Sequence, residues 1–483
     1  MGQTPLVSDV EELLDTTDAT GVAEAVRDGA VSAAEVLAAT AARLDERNPV
    51  VNAVIAERLD AARADVEAGL PDGPLAGVPF VVKGLGAQIA GLTTTHGCSL
   101  WADAVAETDT ELVARYRRAG LVLIGLTNTP EFGLNASTEP LLHGPTRNPY
   151  ALSRSAGGSS GGTAAAVAAG IVSAGHGTDG GGSIRIPSAM CGLVGLKPSR
   201  GRVSTAPVPT LFASPQSVAH ALTRSVRDSA LLLDIASGPV TGDPFVIAPP
   251  DRPYVDELNS DPEPLRVAFD TRTPNGDDIH PDCAAAVEAT ASLLRDLGHT
   301  VEPARPAYPV DDVLLVLRTF FGVTTVARVD NRLAELGRTL RDDDLEPFTR
   351  VVCDNARGIL GSEVVVALQA LERAARRLGS FFEEYDVVLT TTVAQPTPPL
   401  GLLDVTDMEA MSSHAGKYSA MTGAYNVTGQ PALSLPLAHD ADGMPLGVQL
   451  VAAFGREDLL LRVGAQLERA QPWSIRPMWP ARN

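Results

Sequence analysis

Apolar and polar positions follow two periods along the chain. Residues 1–70 carry helical spacing, and Ser32-Ala-Ala-Glu35 has the form of a capping box ahead of an amphipathic stretch. Asn48-Pro49 is expected to end that helix, because proline has no N–H to offer the preceding turn. From Leu75 the pattern changes to short apolar runs, Val78 to Val82 and Leu121 to Gly125, separated by a helix near Thr110 to Ala119. Strands alternating with helices predict an α/β layer. The pattern recurs with strands at Arg266 to Asp270, Asp386 to Thr391, Ala432 to Pro436 and Leu446 to Ala452. Helices are predicted at Pro281 to Leu297, Glu363 to Tyr385 and Glu457 to Ala470. The expected organisation is an N-terminal helical segment, residues 1–70, packed on one continuous α/β body, residues 71–483. The Pro/Asp-rich stretch 239–264 is the one candidate boundary inside that body.

Composition narrows the function classes. The formal charge is −21, from 38 Lys+Arg against 59 Asp+Glu, which repels phosphate backbones and anionic lipid. No basic cluster offsets it, so neither nucleic-acid nor membrane binding is expected. Only Lys83, Lys197 and Lys417 are lysines, so arginine is the default surface cation and a lysine is the more informative residue. Cys98, Cys191, Cys283 and Cys353 lie far apart without metal-ligand spacing and read as reduced thiols. The acidic start, Met1 to Glu12, lacks the basic and apolar regions of a signal peptide, and Leu6 stands where a myristoylation pattern needs Ser or Thr. The Ala164 to Ala174 run is too short to span a bilayer. A cytoplasmic enzyme without metal or cofactor is the expectation.

Residues 153–201 differ in kind. Ser155-Ala-Gly-Gly-Ser159-Ser160-Gly-Gly-Thr precedes an Ala-rich helix, and Gly177-Thr-Asp179-Gly180-Gly181-Gly182-Ser183-Ile-Arg185-Ile-Pro187 follows it. Glycines permit close backbone approach, and successive free N–H groups make an anion-binding concavity. Gly180 to Ser183 could form an oxyanion hole leading into a helix, with the closing serine as nucleophile. On glycine content alone the same loops suit tight turns in a small-residue core. A P-loop fails, because Thr163 follows Gly162 with no lysine between them. Gly157-Gly-Ser159-Ser-Gly161 matches the G-x-S-x-G elbow of α/β-hydrolases, but Arg147-Asn-Pro-Tyr-Ala-Leu-Ser ahead of it does not read as a strand. His220, His280, His299, His414 and His439 could serve such a site, yet none sits in a recognisable loop motif.

A serine nucleophile needs a base, and Ser-Lys arrangements are one solution. Lys83 closes the apolar run Gly77-Val-Pro-Phe-Val-Val-Lys83-Gly84, where burial would lower its pKa. A strand-end lysine reaching solvent is the bland alternative. The run around Lys83, the Gly157 to Gly162 loop and Thr178-Asp-Gly-Gly-Gly-Ser-Ile-Arg-Ile-Pro resemble, in order and spacing, the amidase signature family. Cys191-Gly-Leu-Val-Gly-Leu-Lys-Pro-Ser, Asn426-Val-Thr-Gly-Gln-Pro-Ala and Pro445-Leu-Gly-Val-Gln-Leu extend the resemblance over nearly the whole chain.

That resemblance implies a large mixed sheet covered by helices on both faces, with a signature core at about 75–235, and a Ser-cisSer-Lys triad. Ser183 would attack the carbonyl, Ser159 would relay the proton and Lys83 would be the base. The oxyanion hole would be the N–H groups of Gly180, Gly181, Gly182 and Ser183, with Asp179, Arg185 and Thr178 in support. Thr138-Glu-Pro, Gly144-Pro-Thr-Arg-Asn-Pro and Ser225-Val-Arg-Asp are similar to the 6-aminohexanoate cyclic-dimer hydrolase group of that family. The stretch Phe212-Ala-Ser-Pro-Gln-Ser-Val-Ala-His departs from the tRNA-amidotransferase subunit pattern, which disfavours a tRNA role.

Candidate pocket residues are Phe132, Asn135, Thr138, Tyr150, Phe320, Phe321 and Tyr425, each of which also suits a core position. A small-molecule amide is the implied partner, with esters, anilides and carbamates within the same chemistry and a homodimer an open option. Two other readings stay open: an esterase with Ser159 as nucleophile, and a partner-dependent amidotransferase subunit.

Overall fold

The computed structural model describes residues 10–208 and 214–480. The reading of the N-terminal leader, Met1 to Asp9, and the Phe212-Ala213 part of the departing stretch lie outside them. Thirteen strands follow in chain order. They are β1 (Val54–Glu57), β2 (Pro79–Lys83), β3 (Val122–Thr127), β4 (Arg147–Asn148), β5 (Ala151–Ser155), β6 (Ala174–Asp179) and β7 (Val194–Lys197). Then come β8 (Val218–Thr223), β9 (Arg266–Phe269), β10 (Thr300–Pro303), β11 (Val387–Thr391), β12 (Ala432–His439) and β13 (Pro445–Ala452). Eleven form one mixed sheet in the order β1-β3-β2-β6-β8-β7-β12-β13-β11-β9-β10, and β4 pairs only with β5. The strands after the 239–264 stretch continue this same sheet.

The unbroken apolar runs are explained by burial on both faces. In β2, Phe80 and Val82 belong to one core cluster and Val81 to another; in β3, Leu123 and Leu126 divide from Val122 and Ile124 in the same way. The Gly161–Ala168 helix is buried at every position. Its small side chains let it lie close on the sheet: a Cβ at Gly175 would come within 2.7 Å of Val81 and 2.6 Å of Thr163.

Four local expectations change. The Ser32 capping box is present, but the helix it starts runs through Pro49 to Val51. Pro49 forfeits one backbone hydrogen bond without ending the helix, which stops where Asn52 turns left-handed and Asn48 Oδ1 accepts from the N–H groups of Ala53 and Val54. The strand β1 lies within the segment read as helical. The Glu363 to Tyr385 helix instead spans Gly361–Gly379, starting earlier because Glu363 accepts from the Leu360 N–H, and tightens to a 3-10 turn at Ser380–Glu383. The 27-residue helix Val310–Leu336 was not anticipated; its Val323-Thr-Thr-Val326 run is β-branched and reads as strand-like.

Candidate active site

β2 and β6 are parallel neighbours, registered at Val81 and Gly175, so their C-terminal ends emerge together. This is where open α/β sheets collect ligands. Lys83 ends β2, and Thr178 and Asp179 end β6. The fully buried Lys83 Nζ lies 2.7 Å from Ser159 Oγ and 2.9 Å from Thr178 Oγ1. Burial pulls the ammonium down to about 7, against an opposing pull from the Asp179 charge. A near-neutral amine in hydrogen-bond reach of a serine can act as a base.

Ser159 sits on the turn between β5 and the Gly161–Ala168 helix, after a cis Gly158–Ser159 peptide bond. The turn is held tightly. Thr138 Oγ1 donates to the Gly157 carbonyl at 2.8 Å, the Gly157 N–H donates to Ser155 Oγ, and a Cβ at Gly158 would lie 2.6 Å from the Asn135 carbonyl oxygen. The Ser160 N–H donates to the Ser183 carbonyl at 3.2 Å, tying this turn to the second glycine loop. Contrary to the sequence reading, a short strand does precede the G-x-S-x-G segment. It belongs to a two-stranded hairpin outside the main sheet, and the group on Ser159 is Lys83 rather than a histidine.

The second loop is set by Asp179. Its carboxylate accepts from the Gly182 N–H at 2.7 Å, from the Ile184 N–H at 3.2 Å and from Arg185 Nε and Nη2 at 2.9 and 3.0 Å. Burial would push this carboxyl up, but the Arg185 charge and hydrogen bonds outweigh it and hold it well below the usual range. Arg185, itself fully buried, also donates to Gln449, Asn426 and the Thr422 carbonyl. Asn426 returns a bond to Asp179, and Thr422 Oγ1 donates to the Gly181 carbonyl at 2.6 Å.

One expected oxyanion donor is engaged by a side chain. The Gly182 N–H is committed to Asp179, and at φ 133° this glycine serves to turn the chain. The N–H groups of Gly180, Gly181 and Ser183 have no acceptor among the described residues. Ser183 and these two glycines are half-buried, reachable where the rest of the network is sealed.

The expected pocket residues divide. Phe132 and Phe321 line a cavity of about 70 Å³ with Thr178, and the Phe321 ring covers the loop, 3.4 Å from where a Cβ on Gly180 would stand. The others are engaged elsewhere. Asn135 donates to the Leu403 carbonyl, Thr138 braces Gly157, and the Tyr150 hydroxyl lies against Gly192. Phe320 is core, and Tyr425 is buried against Tyr308.

A family model described as Amidase matches residues 35–461. The chain belongs to the amidase family. It is an amide hydrolase acting on carbon–nitrogen bonds other than peptide bonds. A 6-aminohexanoate-cyclic-dimer hydrolase of Paenarthrobacter ureafaciens is 42% identical over 473 residues, covering 95% of this chain and 96% of that protein. A solved 6-aminohexanoate cyclic dimer hydrolase, complexed with substrate, matches with a TM-score of 0.92 at 40% identity over 96% of this chain and 98% of that one. A bacterial aryl acylamidase of the amidase signature family matches with a TM-score of 0.88 at 27% identity, covering 95% and 97%. No helix among the described residues of this amidase is long and apolar enough to cross a membrane.

Sequence reasoning gave no role to Thr422, Asn426 or Gln449, although the last two stand in family-like motifs. It also passed over Gly133, where a Cβ would lie 2.9 Å from Ser159 Oγ. Its only signal was one more glycine after Phe132.

Proposed function

We propose that this amidase cleaves small amides through an acyl-enzyme on Ser183, with Ser159 as proton relay and Lys83 as base. The observation that carries the reading is the buried Lys83 amine 2.7 Å from Ser159, beside the glycine loop ending at Ser183. Neutral Lys83 takes the Ser159 proton as Ser159 takes that of Ser183, and Ser183 Oγ bonds to the carbonyl carbon. The N–H groups of Gly180, Gly181 and Ser183 receive the developing oxyanion. Collapse breaks the C–N bond, and the proton returns through Ser159 to the departing amine. Water then cleaves the acyl ester by the same relay.

The named activities of the relatives make small cyclic amides and aryl amides the first substrates to assay. The four free, buried cysteines suit a reducing cytoplasmic setting. A fluorophosphonate probe followed by peptide mapping tests the assignment. Modification at Ser183 supports it; modification at Ser159 favours an esterase with that nucleophile, and none in the isolated chain favours a partner-dependent subunit.

A further inference from the structure

The Val310–Leu336 helix carries Phe321 over the nucleophile loop and, seven residues later on the same face, Arg328. Seven residues are two helical turns, about 10 Å along the axis. Both side chains line the small cavity that also reaches Thr178, and Arg328 further lines a cavity of about 220 Å³ beyond it. Among the described residues the Arg328 guanidinium makes no hydrogen bond or ion pair, whereas Arg332, one turn on, pairs with Asp103 and Glu335. The Pro-Thr-Leu-Phe-Ala sequence between Val208 and Ser214 contains no acid to supply a partner. Burial alone lowers the Arg328 pKa, with no carboxylate opposing it, and nearby His96 is held neutral by burial at about 3. Serine and threonine hydroxyls and apolar side chains make up the remaining wall.

Resting on the amidase reading above, we infer that the substrate carries a carboxylate, separated from its scissile amide by a short apolar linker, and that Arg328 binds it. A single planar guanidinium matches a monoanionic carboxylate through two parallel hydrogen bonds. The apolar wall with Phe132 and Phe321 fits the linker, and Thr178 and Phe321 connect this cavity to the loop that carries Ser183.

The test uses matched substrates. On the acyl side these are the mono-4-nitroanilides of succinate, glutarate and adipate against their terminal carboxamides. On the amine side, acetylated 4-aminobenzoate is set against its methyl ester. The wild-type enzyme is expected to prefer the carboxylate member in one of the two sets, which identifies the side. Arg328→Gln should lower kcat/KM on that member about 10- to 100-fold, mainly through KM, and leave the neutral member within about threefold. Arg328→Lys should restore part of the loss. Equal losses on both members, or no carboxylate preference in either set, would overturn the inference while leaving Ser183 labelling intact. Calorimetric titration of the carboxylate and neutral members of the preferred set into Ser183→Ala protein, with and without Arg328→Gln, reads the same preference without turnover. Equal binding of the pair counts against it.

Discussion

Ammonium ions depend on hydration for their charge, and Lys83 is fully buried. With its pKa drawn to about 7, the amine is protonated and useless as a base below that pH and neutral above it. The acid limb of the kcat/KM profile for a neutral amide should therefore rise through about pH 7 and level off above it; a limb near 10 would contradict the assignment. That limb belongs to the coupled lysine and serine rather than to one atom. Lys83→Arg should be inactive, since guanidinium does not deprotonate. Ser183→Ala should lose about a thousandfold or more of the hydrolysis rate, with an unchanged thermal melt, and Ser159→Ala should be similarly impaired. Lys83 was legible because lysine is rare here. Arg328 was not: among 35 arginines one more conveys nothing, and only the missing partner singles it out.

At the scale of elements, the loop from β6 to Arg185 owes its shape to one carboxylate. Asp179→Asn would leave the Arg185 guanidinium buried without its counter-charge, at an expected cost of about 3–5 kcal/mol in urea unfolding. It would also free the loop that presents Ser183, so activity should fall with stability. A contrasting change is Ser32→Ala, which removes one half of a capping box far from the site. It should cost about 1 kcal/mol and leave kcat/KM unaltered. Strands buried on both faces announced themselves in the sequence as apolar runs, and β2, β3 and the closing helix at Glu457–Ala470 lie close to where that pattern puts them. The Val310–Leu336 helix did not, because its β-branched centre contradicts its helical environment and only packing against neighbouring helices decides the outcome. The three-glycine loop was recognisable, yet the use of the Gly182 N–H by Asp179 depends on side-chain geometry that spacing does not encode.

For the molecule as a whole, a charge of −21 surrounds a site whose Arg328 has no partner among the described residues. Anionic substrates should meet repulsion over long range and attraction at the end. Raising the salt concentration should thus increase kcat/KM for a carboxylate-bearing amide relative to a neutral one. A ratio that falls with salt would show the surface field to be attractive to anions. The same assays run in EDTA should be unaffected, as water is the only co-reactant the proposed cycle requires. The sheet also joins distant parts of the chain: β7 lies beside β12, and Arg185 is bonded to Gln449 across 264 residues and to Asn426 across 241. A growing polypeptide that has emerged through residue 400 already contains Lys83, Ser159 and Ser183 but lacks Thr422, Asn426 and Gln449. The order of synthesis therefore makes hydrolytic competence a late event. Fragments from interrupted translation or from cleavage near residue 400 carry the proposed reactive groups without the frame that aims them.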